Sequence, residues 1–175
     1  MTTYRHCLKQ EMNFLAQDER VYFLGQQVGE GDFYGTLADI PRERRLEMPV
    51  AEEMQMGISI GMALEGLCPL SIYQRMDFLP RAMDQIVNHL NIIERLSHGR
   101  FAPKVIIRTT IGATRPLYPG LQHAKDLLEG FRAMVDFPVL DLRSIDDIKK
   151  GYQQARQADQ PIMLVERQDL YEMEE

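Results

Sequence analysis

Five short apolar runs punctuate this sequence, and between them lie stretches in which apolar residues recur every three or four positions. That alternation constrains the fold more than any other feature. The runs are VYFL at 21–24, CPLSIYQ at 68–74, KVIIRTTIG at 104–112, VLDLR at 139–143 and PIMLVE at 161–166. Such runs, bounded by turn residues, suit strands buried on both faces. The helical stretches are 4–16, 52–65, 79–93, 123–131 and 144–158. Leu79, Ala82, Met83, Ile86, Val87, Leu90 and Ile93 give the best amphipathic pattern, ended by His98-Gly99, and Ser144 with Asp147 marks a weak helix start. Strands alternating with helices predict a doubly wound α/β domain: a six-stranded, mainly parallel sheet with helices on both faces, of which the pattern spells out five strands.

A chain of 175 residues with 45% hydrophobic and 26% charged residues can hide ~70% of its unfolded surface, so positions 1–175 read as a single domain. With 20 Lys and Arg against 26 Asp and Glu, the net charge is −6; no basic stripe is left for a nucleic-acid partner. No segment approaches the ~18 consecutive apolar residues of a membrane span. The first residues, MTTYRHCLKQEMNF, lack the apolar stretch of a signal peptide. Cys7 and Cys68 stand isolated, which points to reduced thiols, no zinc site and a cytoplasmic protein.

Residue by residue, the chemistry is sparse. Gly29-Glu30-Gly31-Asp32 lacks both the GxGxxG and the GxxxxGK[ST] spacing, so its glycines read as turn formers. His123 follows a loop rich in Pro and Gly, where an imidazole can face a cleft and move protons or simply be structural. Glu52 and Glu53 open a helix, a placement the helix dipole alone explains. Gly57 and Gly61, one turn apart inside that helix, each cost ~1 kcal/mol against alanine, so another backbone is expected to pack close to them. These observations support an α/β domain and leave a flavodoxin-like nucleotide binder open.

The stretch EMPVAEEMQMGISIGMALEG narrows the reading, because Glu52 is followed by four residues, then Gly57, Ile58, two residues and Gly61. This pattern resembles the pyrimidine-binding domain of thiamine-diphosphate enzymes, in particular the beta subunit of the decarboxylating component of 2-oxoacid dehydrogenases in the transketolase-like superfamily. VYFLGQQVGEG, GLCPLSIYQRMDF, AMDQIVNHL, GLQHAKD and PIMLVERQDLY match in order. The resemblance implies that Glu52 hydrogen-bonds a ring nitrogen of the cofactor's aminopyrimidine and favours the tautomer that activates the thiazolium carbon; a carboxyl in an apolar pocket can share that proton. It implies that Phe78 stacks on the pyrimidine, that Gln74 lines the pocket, and that His123 faces the reacting centre. Gly57 and Gly61 then belong at a helix contact across a subunit interface.

The departures matter too. Gln26 and Gln27 stand where the family usually has acids, and a second histidine of the oxoacid dehydrogenases falls at Ala133. Arg115 sits in a loop that is slightly long for the family. The family's carboxyl-terminal domain and its diphosphate-binding half, which holds Mg2+, have no counterpart in these 175 residues. The resemblance therefore implies a beta-like subunit of a split enzyme acting on a 2-oxo acid or ketose, partnered by an alpha-like, diphosphate-binding subunit in a homodimer or heterotetramer. The alternative is a non-catalytic assembly or regulatory subunit that keeps the fold.

Overall fold

A computed structural model describes residues 2–29, 31–114 and 118–174; Arg115 lies outside them. Six strands, β1 (Val21–Gly25), β2 (Arg45–Glu47), β3 (Cys68–Tyr73), β4 (Ile106–Ile111), β5 (Val139–Leu142) and β6 (Ile162–Arg167), form one sheet in the order β2-β1-β3-β4-β6-β5. Every pairing is parallel. The sixth strand, absent from the apolar pattern, is β2. It is a three-residue edge strand paired only with β1, so it needs no apolar run.

Helices α1 (Tyr4–Leu15) and α5 (Ile145–Gln157) cover one face, packing Leu8, Met12, Ile148 and Tyr152 on Phe23, Leu70, Ile106 and Leu164. On the other face α2 (Glu52–Leu64), an irregular helical segment ending in α3 (Ile93–Leu96), and α4 (Leu128–Met134) bring Met56, Leu79, Ile86 and Phe131 onto Ile107 and Val165. Thr3 caps α1 through His6 N at 3.1 Å, and Ser144 caps α5 through Asp147 N at 3.1 Å, the latter as its sequence suggested. Among the described residues no helix is long and apolar enough to cross a membrane.

Three local expectations need correction. The single helix over 79–93 is instead a 3-10 stretch (Met76–Ala82), a π-helical stretch (Gln85–Leu90) and α3. Pro80 inside the first removes a backbone donor and breaks a regular α ladder, while Leu79, Ala82, Ile86 and Leu90 are still buried. The helix expected over 123–131 is α4, and His123 lies in the turn before it. Asp126 accepts from Leu128 N at 3.1 Å, a local bond that fixes the start of α4 downstream of the histidine. The close approach expected at Gly57 and Gly61 is not made within the chain: a Cβ at Gly61 would meet nothing within 4 Å, and one at Gly57 only Gln85 Oε1 at 3.9 Å. The tight helix contact is at Gly151, where a Cβ would lie 2.8 Å from Leu142 on β5.

Candidate functional site

Strand order reverses between β1 and β3, since the chain goes from β1 to β2 on one side and returns through α2 to β3 on the other. In an open parallel sheet this switch point leaves a crevice at the carboxyl ends of the strands. A narrow cleft of about 10 Å³ sits there, lined by Gln26, Glu52, Gln55, Ile72, Tyr73, Gln74 and Phe78. Three of the sequence-predicted residues, Glu52, Gln74 and Phe78, thus meet at one place.

Glu52 is the first residue of α2 and only 5% exposed. Its Oε2 has no hydrogen-bond partner among the described residues, and the exposed Arg81 places Nε 3.7 Å from it. Glu53, its neighbour, is exposed, so helix phase alone separates the two acids. Burial pushes the Tyr73 phenol well up, so its hydroxyl stays protonated and donates to the Glu52 carbonyl at 3.3 Å. Gln74 is held through its own carbonyl, which accepts from Thr110 Oγ1 at 2.6 Å.

Phe78 carries His123 to the site. The two rings meet edge to face with centroids 5.7 Å apart and planes at 77°. His123 Nδ1 is buried and without a hydrogen-bond partner among the described residues. Two polar side-chain atoms, Glu52 Oε2 and His123 Nδ1, therefore flank Phe78 with unused hydrogen-bonding capacity, an arrangement that costs free energy unless a ligand completes it.

Sequence reasoning missed Gln55. It is buried, and its Nε2 donates to Ser71 Oγ and to the Ile72 carbonyl, both at 3.0 Å, fastening the first turn of α2 to β3. The signal was available: Gln55 and Ser59 are polar residues on the inward face of an otherwise apolar helix. The role of Glu47 was also missed. Its carboxylate accepts from the backbone N–H groups of Gln27, Val28 and Gly29 at 2.7, 2.9 and 2.7 Å. The glycine loop after β1 is thus an anion-binding nest filled by the chain's own carboxylate, which sets the backbone next to Gln26. Gly29 is required for that approach, because a Cβ there would lie 2.9 Å from Glu47 Cβ.

Comparisons with known proteins agree with this fold. Residues 1–173 match the family described as transketolase, pyrimidine binding domain. The chain is 29% identical over 166 residues to the pyruvate dehydrogenase E1 component subunit beta of Gracilaria tenuistipitata var. liui, covering 92% of this chain and 51% of that protein. It is 27% identical over 175 residues to the mitochondrial form from Caenorhabditis elegans, covering 97% and 49%. It spans about half the length of these relatives. Among solved structures, a split gene transketolase described as an inactive beta4 tetramer superposes with a TM-score of 0.74 at 18% identity, over 100% of this chain and 53% of that one. Transketolase from Campylobacter jejuni gives 0.77 at 20% identity, over 99% and 27%.

Proposed function

The chain belongs to the transketolase pyrimidine-binding domain family, and from that premise we propose that it is the beta-like, pyrimidine-binding subunit of a split thiamine-diphosphate-dependent enzyme. In this reading residues 1–175 act as one domain, in the cytoplasm, on a 2-oxo acid or a ketose. A separate alpha-like subunit holds the diphosphate and Mg2+. The likeness to proteins described as subunit beta of the pyruvate dehydrogenase E1 component and to a split gene transketolase supports a two-polypeptide design.

One observation carries the proposal: a buried carboxyl whose Oε2 lacks a hydrogen-bond partner among the described residues, set beside an aromatic ring at the sheet's switch point. That donor set fits an aminopyrimidine. Glu52 can hold or release a proton at Oε2 toward a ring nitrogen, Phe78 offers a stacking surface, and Gln74 lines the same wall. Bound thiamine diphosphate supplies an electron sink for breaking a bond beside a carbonyl carbon. In this reading His123, whose ring packs on Phe78, is the group that exchanges a proton with substrate. The cleft, at about 10 Å³, is far smaller than the ~300–1,000 Å³ of a complete ligand site, which supports a second wall contributed by another subunit.

Glu52→Gln in the complex reconstituted with the diphosphate-binding partner is expected to lower turnover by ~10²-fold or more, since the amide keeps the shape but cannot share the proton. Unchanged turnover would refute catalysis through this chain and favour the non-catalytic, assembly role.

A further inference from the structure

Arg75 lies between Gln74 and Phe78, and no role has yet been found for it. Its Nη1 donates to two backbone carbonyls, those of Gly112 and His123, the second at 2.8 Å. One guanidinium nitrogen thereby ties the residue just beyond β4 to the histidine at the far end of the segment. The histidine has no regular element to hold it, since α4 begins at Leu128. Its other restraints are its own N–H to the Gly120 carbonyl at 3.1 Å and the Phe78 ring. Thr114 N and Lys125 N donate to Asp169 at 2.6 Å and to Asp77 at 3.2 Å, which pins the chain on either side of the histidine without touching it.

Arginine suits this task. Its charge is permanent, its planar fork is rigid, and hydrogen bonds from a charged donor to a carbonyl are stronger than neutral ones. We propose that Arg75 is the positioning residue for His123: by joining the Gly112 and His123 carbonyls it fixes the backbone that holds the imidazole in its edge-to-face contact with Phe78. The inference rests on the reading of His123 as a site residue and adds the group through which that position is held.

The test has two arms. In the first, the ring Cε1–Hε1 signals of the four histidines are recorded by NMR in the isotope-labelled full chain, with His123→Ala identifying its own signal. Phe78→Leu gives the value without the aromatic neighbour. Wild-type His123 should be displaced from that value by the Phe78 ring current. Arg75→Met should remove more than half of the displacement, and Arg75→Lys, which can reach one carbonyl at a time, should leave an intermediate value. In the second arm, turnover is measured in the complex with the diphosphate-binding partner. Arg75→Met should lower kcat ~10-fold or more with a smaller change in KM, and should cause no further loss in a His123→Ala background. A full wild-type displacement in Arg75→Met overturns the proposal, as does an equal loss of kcat in both backgrounds. If Arg75→Met does not fold, Arg75→Lys decides: an intermediate signal with reduced kcat supports the proposal, and a wild-type signal with full kcat overturns it. If the displacement collapses in Arg75→Met while His123→Ala leaves turnover intact, the catalytic reading of His123 fails and the positioning role stands.

Discussion

Arg108 and Glu166 meet in the middle of the sheet, one on β4 and the other on β6, both fully buried. The guanidinium is bound twice, Nε to Oε1 at 2.6 Å and Nη2 to Oε2 at 3.2 Å, while Nη1 donates to Thr36 Oγ1 at 2.9 Å and the Phe33 ring lies 4.7 Å from its centre. Tyr152 and Tyr171 donate to the carboxylate at 3.1 and 2.6 Å. Burial, reinforced by the Glu166 charge, raises both phenols well above their ordinary range and keeps them as donors. A buried pair is costly to halve, because the survivor is left as an unpaired charge in the core. Glu166→Gln should therefore destabilise the domain by ~3–5 kcal/mol, read as a lower denaturant midpoint; a loss under ~1 kcal/mol would contradict this account. The sequence carried a faint sign of the pair, an arginine inside KVIIRTTIG and a glutamate closing PIMLVE. Nothing in spacing alone says that these two runs are neighbours, in a register that pairs Arg108 with Leu164 and leaves Glu166 diagonal to it.

At the scale of elements, what was legible followed from local physics. The apolar runs became strands and the Ser144 cap became the start of α5, because both depend on residues within a few positions of each other. What was illegible depended on contacts from afar. The 79–93 segment keeps its apolar spacing but takes 3-10 and π geometry, and β2 exists because β1 offers it an edge. A further clasp of this kind holds α4 and its approach to the sheet: Arg167 on β6 binds Asp141 on β5 at 2.7 Å and Asp126 before α4 at 2.8 Å. Burial would raise the Asp141 carboxyl, but its bonds to Arg167 and Arg143 outweigh that and hold it below the usual carboxylate range. A carboxyl that is more acidic in the folded chain stabilises above its unfolded pKa of ~3.9 and loses that contribution as pH falls through the lower folded value. Urea midpoints of wild type and Asp141→Asn should accordingly differ most near pH 6 and converge on acidification below pH ~4. A gap that stays constant from pH 6 to pH 3 would refute the clasp as a source of pH-dependent stability.

At the scale of the whole molecule, the site is half built. Glu52, Gln74 and Phe78 were legible because a family pattern marks them, and the fold gathers them at one crevice with His123 beside Phe78. Glu47 and Arg75 were not legible, because each acts by binding the backbone of a distant segment, while Gln55 left a trace as a polar residue on the inward face of α2. The glycine face of α2 shows the same division. Met54, Ile58 and Leu64 are 44%, 40% and 41% exposed, and Gly57 and Gly61 leave the helix flat between them with no close neighbour from the chain. A helix tolerates two glycines at ~1 kcal/mol each only for a reason, and among the described residues no close packing supplies one. This supports the proposed contact with another subunit, expected as a homodimer alone and a heterotetramer with the partner. A permanent interface of this type buries more than ~2,000 Å² in total and is more apolar than ordinary surface. Gly61→Leu tests it cleanly: the added side chain has open space in the monomer, raises helix propensity and lies nine residues from Glu52. It should shift light scattering toward the monomer at micromolar concentration while circular dichroism and the unfolding midpoint of that monomer are retained; Gly57→Leu should do the same. A wild-type chain that is monomeric both alone and with its partner would remove the shared-interface reading, and with it the second wall proposed for the cleft.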